Sequence, residues 1–151
     1  MERHKEFKYH KFTTHESIPS SDRELLLRAL EVASNSFSPY SNFKVGAAAR
    51  LKSGVVICGT NIESEVFPAG ICAERSLLFS MAANHPDDPI EALAITSMPC
   101  DRECSPCGLC RQSLLDCERR QKSPIRVIMG GDRSATIVES AEILLPFSFI
   151  L

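Results

Sequence analysis

The stretch Phe43-Lys44-Val45-Gly46-Ala47-Ala48-Ala49-Arg50-Leu51, the break Lys52-Ser53-Gly54 and the run Val55-Val56-Ile57-Cys58-Gly59-Thr60-Asn61-Ile62 decide the fold. Two apolar, partly β-branched runs around a glycine-containing break read as a β-hairpin. On the N-terminal side, Leu25, Leu26, Ala29, Leu30 and Ala33 fall on one helical stripe, and Ser21 with Glu24 spells a capping box. A helix is therefore expected over about residues 21–35. On the C-terminal side, residues 71–83 carry Ala, Leu, Phe and Met at helical spacing, and residues 91–98 read as a short apolar strand. Residues 107–119 then read as a helix, with Ser105 as N-cap and Pro106 at the first helical position. Strands are expected over 125–129 and 135–138, around Gly130-Gly131-Asp132, and a short helix over 139–145. The resulting order, αββαβαββα, predicts an α/β fold with a mixed five-stranded sheet between helices, a three-layer α/β/α sandwich.

A chain of 151 residues is one domain's worth, and such a chain buries about 68–70% of its unfolded surface. Hydrophobic residues at 44% and charged residues at 24% are ordinary for a globular protein. The formal net charge of −2 gives no whole-domain positive field, so a polynucleotide partner is not expected. Residues 1–20 hold His4, His10 and His15 among Lys and Glu without an apolar period, and read as a polar, solvated N-terminal extension to a domain over 21–151. There is no run of about 18 apolar residues and no export-type leader, so neither a membrane partner nor secretion is expected and the expected address is the cytoplasm. In that reducing setting the seven cysteines are free for metal or catalysis rather than for disulfides.

Two fragments carry chemistry: Cys72-Ala73-Glu74 and Pro106-Cys107-Gly108-Leu109-Cys110, each at the start of an expected helix. A helix start offers unpaired N–H groups and the positive end of the macrodipole, which favour a thiolate. The C-x-x-C turn supplies two zinc ligands, and Cys72 gives a third. Outside the first twenty residues the one histidine is His85, far from Cys72 in sequence, so a histidine variant of the site is not expected. Three ligands and one open position are the layout of catalytic zinc. Glu74, two residues beyond Cys72, is placed near that open position as a general base. Three thiolates against Zn²⁺ leave a net −1, and Arg75 with the two helix starts are the available offsets. The pattern matches the signature that zinc-dependent base deaminases share.

These residues resemble the cytidine deaminases of the small, single-domain homotetrameric type. The resemblance runs over Ser38-Pro39-Tyr40-Ser41-Asn42-Phe43 with Val45-Gly46-Ala47-Ala48, Asn61-Ile62-Glu63, Ile71-Cys72-Ala73-Glu74-Arg75, Ser105-Pro106-Cys107 with Cys110-Arg111-Gln112, and Leu144-Leu145-Pro146. It implies zinc held by Cys72, Cys107 and Cys110, with Glu74 shuttling protons. It implies Phe43 packed on the pyrimidine, Asn61 and Glu63 bonded to the ribose 3′-hydroxyl, and the Ala73 N–H on the base carbonyl. It also implies a homotetramer with shared active sites, Phe149 reaching a neighbouring site, and a nucleoside substrate, cytidine or deoxycytidine, in pyrimidine salvage. After Asn61-Ile62-Glu63 the family has Asn, a small residue and a Tyr, where this chain has Ser64, Glu65 and Phe67.

Other readings stand beside this one. Another aminopyrimidine compound could be the substrate, or a closed four-ligand zinc, completed by Cys104, could make a binding module without activity. Cys100, Cys104 and Cys107 spell C-x₃-C-x₂-C, a spacing used by iron–sulfur clusters. The ferredoxin run on Cys104, Cys107 and Cys110 lacks its fourth Cys, because Leu114 and Leu115 stand there.

Overall fold

In chain order the computed structural model, which describes residues 1–151, contains β1 (His10–Phe12), α1 (Ser20–Ala33), β2 (Lys44–Leu51), β3 (Val56–Thr60), α2 (Ala73–Asn84), β4 (Ile90–Met98), α3 (Gly108–Gln121), β5 (Arg126–Gly130) and β6 (Ala135–Val138). Three short 3-10 turns join them, the last over Ala141–Leu144 where a short helix was expected. The strands form one mixed sheet in the order β1-β6-β5-β4-β2-β3. All neighbours are antiparallel except β4 and β5, which run parallel on either side of the α3 connection.

The sheet has six strands, not five. The additional one is β1, which lies in the segment expected to be a solvated extension and pairs His10 with Ile137, Lys11 with Thr136 and Phe12 with Ala135. Its two exposed residues, His10 and Lys11, carry no apolar alternation. Ladder hydrogen bonds and the packing of Phe12 on one core cluster form the strand instead. The start of α1 also differs from expectation. Pro19 is its N-cap, with the Asp22 and Arg23 N–H groups donating to the Pro19 carbonyl, and Ser21 lies inside the helix. Asp22, 2% exposed, turns instead to β5, where Arg126 Nη2 donates to it at 2.8 Å and Nε at 3.1 Å.

The two-residue period of the strands divides the core into two faces. On one, Ala47, Ala49 and Leu51 of β2 and Leu93 and Ile95 of β4 pack with Leu77, Leu78 and Met81 of α2 and Leu114 and Cys117 of α3. On the other, Ala48, Ala92, Ala94 and Ile128 pack with Leu25, Leu26 and Ala29 of α1. Small residues let the helices approach closely. A Cβ on Gly46 would lie 1.9 Å from the Ala29 carbonyl oxygen of α1, and one on Gly59 would lie 2.6 Å from the Ala73 carbonyl oxygen of α2. The sheet thus fixes the first turn of α2 directly, and that turn carries Cys72 and Glu74.

Glu118, near the C-terminus of α3, closes this face. Its carboxylate accepts from the Ile125 and Ala141 N–H groups at 2.7 Å each and from Ser140 Oγ at 2.6 Å. The helix that bears two thiols of the site is thereby tied to β5 and to the turn over Ala141–Leu144.

Candidate active site and metal centre

Cys72 and Cys107 are the N-cap residues of α2 and α3, and Cys110 lies in the first turn of α3. Neither N-cap thiol bonds its own helix. Both are left to point at each other, with Cys72 Sγ and Cys107 Sγ 3.8 Å apart, and the three sulfurs lie within 4.8 Å of one another. A tetrahedral zinc with Zn–S bonds of 2.3 Å sets its sulfurs about 3.8 Å apart, so the three thiols are positioned to bind such an ion. Cys100 and Cys104 stand outside this group. The closed four-thiol centre and the C-x₃-C-x₂-C cluster are therefore not formed.

The electrostatics call for a cation. A hydrogen bond from Cys110, together with those from Arg75 and Cys107, pulls the Cys72 thiol down to about 5 against the effect of burial. The same bond to the Cys72 thiolate, with burial, pushes the Cys110 thiol up. Three thiols this close cannot all ionise without a metal. Arg75 Nη2 lies 4.0 Å from Cys72 Sγ, which places its charge beside the thiols, while its buried Nε has no partner.

Glu74 follows Cys72 by two residues and is 2% exposed. Burial raises its carboxyl to about 7, and the neighbouring Cys72 charge adds to the rise. A carboxyl titrating near the working pH can both take and give a proton.

Beside Cys72 opens a cleft of about 310 Å³ whose walls include Tyr40, Asn61, Glu63 and Phe67. The size falls within the usual range for small-molecule sites. Asn61 is clamped: its Oδ1 accepts from Ser36 Oγ at 2.5 Å and the Val45 N–H at 2.7 Å, and its Nδ2 donates to the Phe43 carbonyl at 2.9 Å. One N–H of that amide remains free of these bonds. The Glu63 carboxylate accepts from the Ser41 hydroxyl and from the Tyr40 and Ser41 N–H groups, and these bonds lower its carboxyl below the ordinary value. Ala73 is the first residue of α2, so its N–H is one of the helix's unpaired donors. Phe43 is half-buried against the larger core cluster.

Phe149 does not line the cleft. It is 69% exposed, and its carbonyl accepts from Gln112 Nε2 on α3 at 3.3 Å. Phe67 stands 77% exposed and packs edge-on against Tyr40 with ring centroids 6.0 Å apart.

Sequence reasoning missed the residues that hold these groups. Ser41 stands in the sequence only as one member of the motif at residues 38–43 that carries the resemblance, and nothing in the sequence links Ser36 to Asn61 across 25 positions. Glu118 looked like one more polar residue of a helix.

An open tripod of thiols at two helix N-termini, with a buried carboxyl alongside, defines a metal-dependent hydrolytic site on an α/β sheet. The family profile described as "Cytidine and deoxycytidylate deaminase zinc-binding region" matches residues 19–123, and the chain belongs to this family. The cytidine deaminase of Halalkalibacterium halodurans is 35% identical over 130 residues, covering 85% of this chain and 94% of that protein. The crystal structure of cytidine deaminase from Burkholderia pseudomallei superposes with a TM-score of 0.69 at 34% identity, covering 83% of this chain and 97% of that one. The cytidine deaminase of Mycobacterium leprae gives 0.68 at 27% identity, over 85% and 99% of the two chains.

Proposed function

We propose that the protein catalyses the zinc-dependent hydrolytic deamination of cytidine and deoxycytidine to uridine and deoxyuridine, releasing ammonia, in pyrimidine salvage. The observation that carries this reading is the three-thiol tripod, whose Cys72 lines the cleft, with the buried Glu74 carboxyl two residues beyond it. Zinc bound there supplies a Lewis acid that makes water nucleophilic at neutral pH. Glu74 takes a proton from the attacking water and delivers it to ring N3 while the water oxygen bonds to C4; the second proton of that oxygen then passes to the amino group, and as the C4–N bond breaks ammonia leaves and the C4 carbonyl forms. Arg75 offsets the thiolate charge.

Two cleft residues, Asn61 and Glu63, and two residues outside its lining, Ala73 and Phe43, divide the remaining work. The free N–H of Asn61 and the carboxylate of Glu63 bind the ribose 3′-hydroxyl, the Ala73 N–H binds the base carbonyl, and Phe43 packs on the pyrimidine. What supports the sugar reading is that both polar groups are anchored at the cleft wall by donors from residues 36–45. The deaminase domain is assigned to residues 21–151, with β1 of the preceding segment adding an edge strand to its sheet. A homotetramer in which Phe149 reaches a neighbour's site is supported by the exposure of the large apolar side chains of Val66, Phe67, Phe149 and Ile150, which contacts between subunits would cover. The expected compartment is the cytoplasm, and no helix is long and apolar enough to cross a membrane.

The test is ammonia release from cytidine, deoxycytidine and cytosine by zinc-loaded wild type and Glu74→Gln. The wild type should act on the nucleosides, and Glu74→Gln should keep its zinc while losing at least about 10²-fold in turnover. Near-wild-type turnover by a zinc-loaded Glu74→Gln protein overturns the assignment.

A further inference from the structure

The family profile begins at residue 19, so β1 lies outside what it describes. The strand nevertheless reaches the segment that delivers a metal ligand. Lys11 Nζ donates to Glu103 Oε1 at 2.5 Å and lies 3.4 Å from Thr136 Oγ1, on the β6 residue that pairs with Lys11. Glu103 also accepts from Ser134 Oγ and Thr136 Oγ1, both at 2.6 Å, and its side chain is only 15% exposed. Burial works to raise the Glu103 carboxyl, but the bonds from Lys11, Ser134 and Thr136 outweigh it and the net shift is downward.

Only Cys104, Ser105 and Pro106 separate Glu103 from Cys107. The segment is fixed at both ends. The Cys104 N–H donates to the Gly130 carbonyl at 3.1 Å, and the Arg111 Nε donates to the Pro106 carbonyl at 2.8 Å. Gly131 lies so close to the backbone of Arg102 and Glu103 that a Cβ there would sit 3.0 Å from the Glu103 nitrogen. A carboxylate pulled inward at position 103 therefore sets where the chain enters α3, and with it the position of the Cys107 thiol.

We propose that β1 is a strap on the metal-bearing loop, with Lys11 a positioning residue that acts through Glu103 to hold residues 103–107 where Cys107 meets the metal. The inference rests on the zinc reading of Cys72, Cys107 and Cys110, and its test keeps the two apart. Because β6 hydroxyls still hold Glu103 when Lys11 is lost, the loop loosens rather than unfolds.

The test is transfer of zinc from full-length, zinc-loaded protein to a chromogenic chelator, with thermal unfolding measured in parallel. Lys11→Met keeps the length of the side chain and removes the donor, and it should release zinc about three- to fivefold faster, the equivalent of a half-exposed ion pair. Lys11→Arg should bring the rate back to within twofold of wild type, and Glu103→Gln should accelerate release as Lys11→Met does. Arg28→Met, which removes the exposed Arg28–Glu31 pair on α1, should leave release unchanged. Equal release from wild type and Lys11→Met, or equal acceleration by Arg28→Met, overturns the strap. A wild-type protein that carries no zinc overturns the metal reading itself.

Discussion

Replacing Gly59 with alanine tests whether the sheet positions the catalytic turn. The new Cβ would lie 2.6 Å from the Ala73 carbonyl oxygen, 2.7 Å from the Leu77 nitrogen and 2.9 Å from the Leu77 Cβ. Two of these three atoms are α2 backbone, so no side chain can swing aside. Bringing the closest contact to an ordinary 3.4 Å requires α2 to move off β3 by about 0.8 Å. Overpacking of this kind costs about 2 kcal/mol, or about 4–8 °C in Tm for a domain of this length. The same displacement carries Glu74 and Cys72 with it, and a misplacement of about 1 Å costs about 10²-fold in rate. Gly54→Ala is the comparison. Its φ of +90° strains an alanine, but a Cβ there meets nothing within 4 Å, so it costs about 1–2 kcal/mol without touching the site. Both variants, zinc-loaded, are to be compared by thermal melt and by cytidine turnover well below either Tm. The reasoning fails if Gly59→Ala keeps kcat/KM within twofold of wild type, or if Gly54→Ala loses as much.

Three further outcomes follow from the same geometry. Glu118→Ala leaves the buried Ile125 and Ala141 N–H groups without their acceptor. At about 1–3 kcal/mol for each orphaned group, denaturant melts should show a loss of about 2–6 kcal/mol, whereas a loss under 1 kcal/mol rejects the role given to Glu118. Cys107→Ser places a good capping residue at the N-cap of α3; metal-free protein should keep its melting temperature within about 2 °C, while bound zinc, read by elemental analysis, should be lost. Retention of stoichiometric zinc by that variant contradicts the ligand set. Glu103 has a carboxyl lowered in the folded protein, so its stabilisation is fully present above the unfolded value of about 4.3 and is lost as pH falls through the folded one. The stability difference between wild type and Glu103→Gln should accordingly be full at neutral pH and shrink in acid below that value; a difference that grows on acidification shows the sign to be wrong.

The apolar strand runs, the α/β order and the three thiols with Glu74 were all legible in the chain, because each rests on short-range physics. An apolar β-branched run, a helical stripe and a C-x-x-C turn are set by neighbours a few positions apart. Helix ends were less legible. The capping box at Ser21 and Glu24 is not formed because the helix begins earlier, with Pro19 at its N-cap, and Cys107, not Ser105, occupies the N-cap position of α3. The tertiary structure alone decided three things: that residues 10–12 complete the sheet as a sixth strand, that Ser36 and Ser41 anchor Asn61 and Glu63 at the cleft, and that Glu74 is buried deeply enough for its carboxyl to rise to about 7. Each depends on surfaces brought together from distant parts of the chain, where desolvation and hydrogen bonding are properties of the packed whole rather than of any local run of residues.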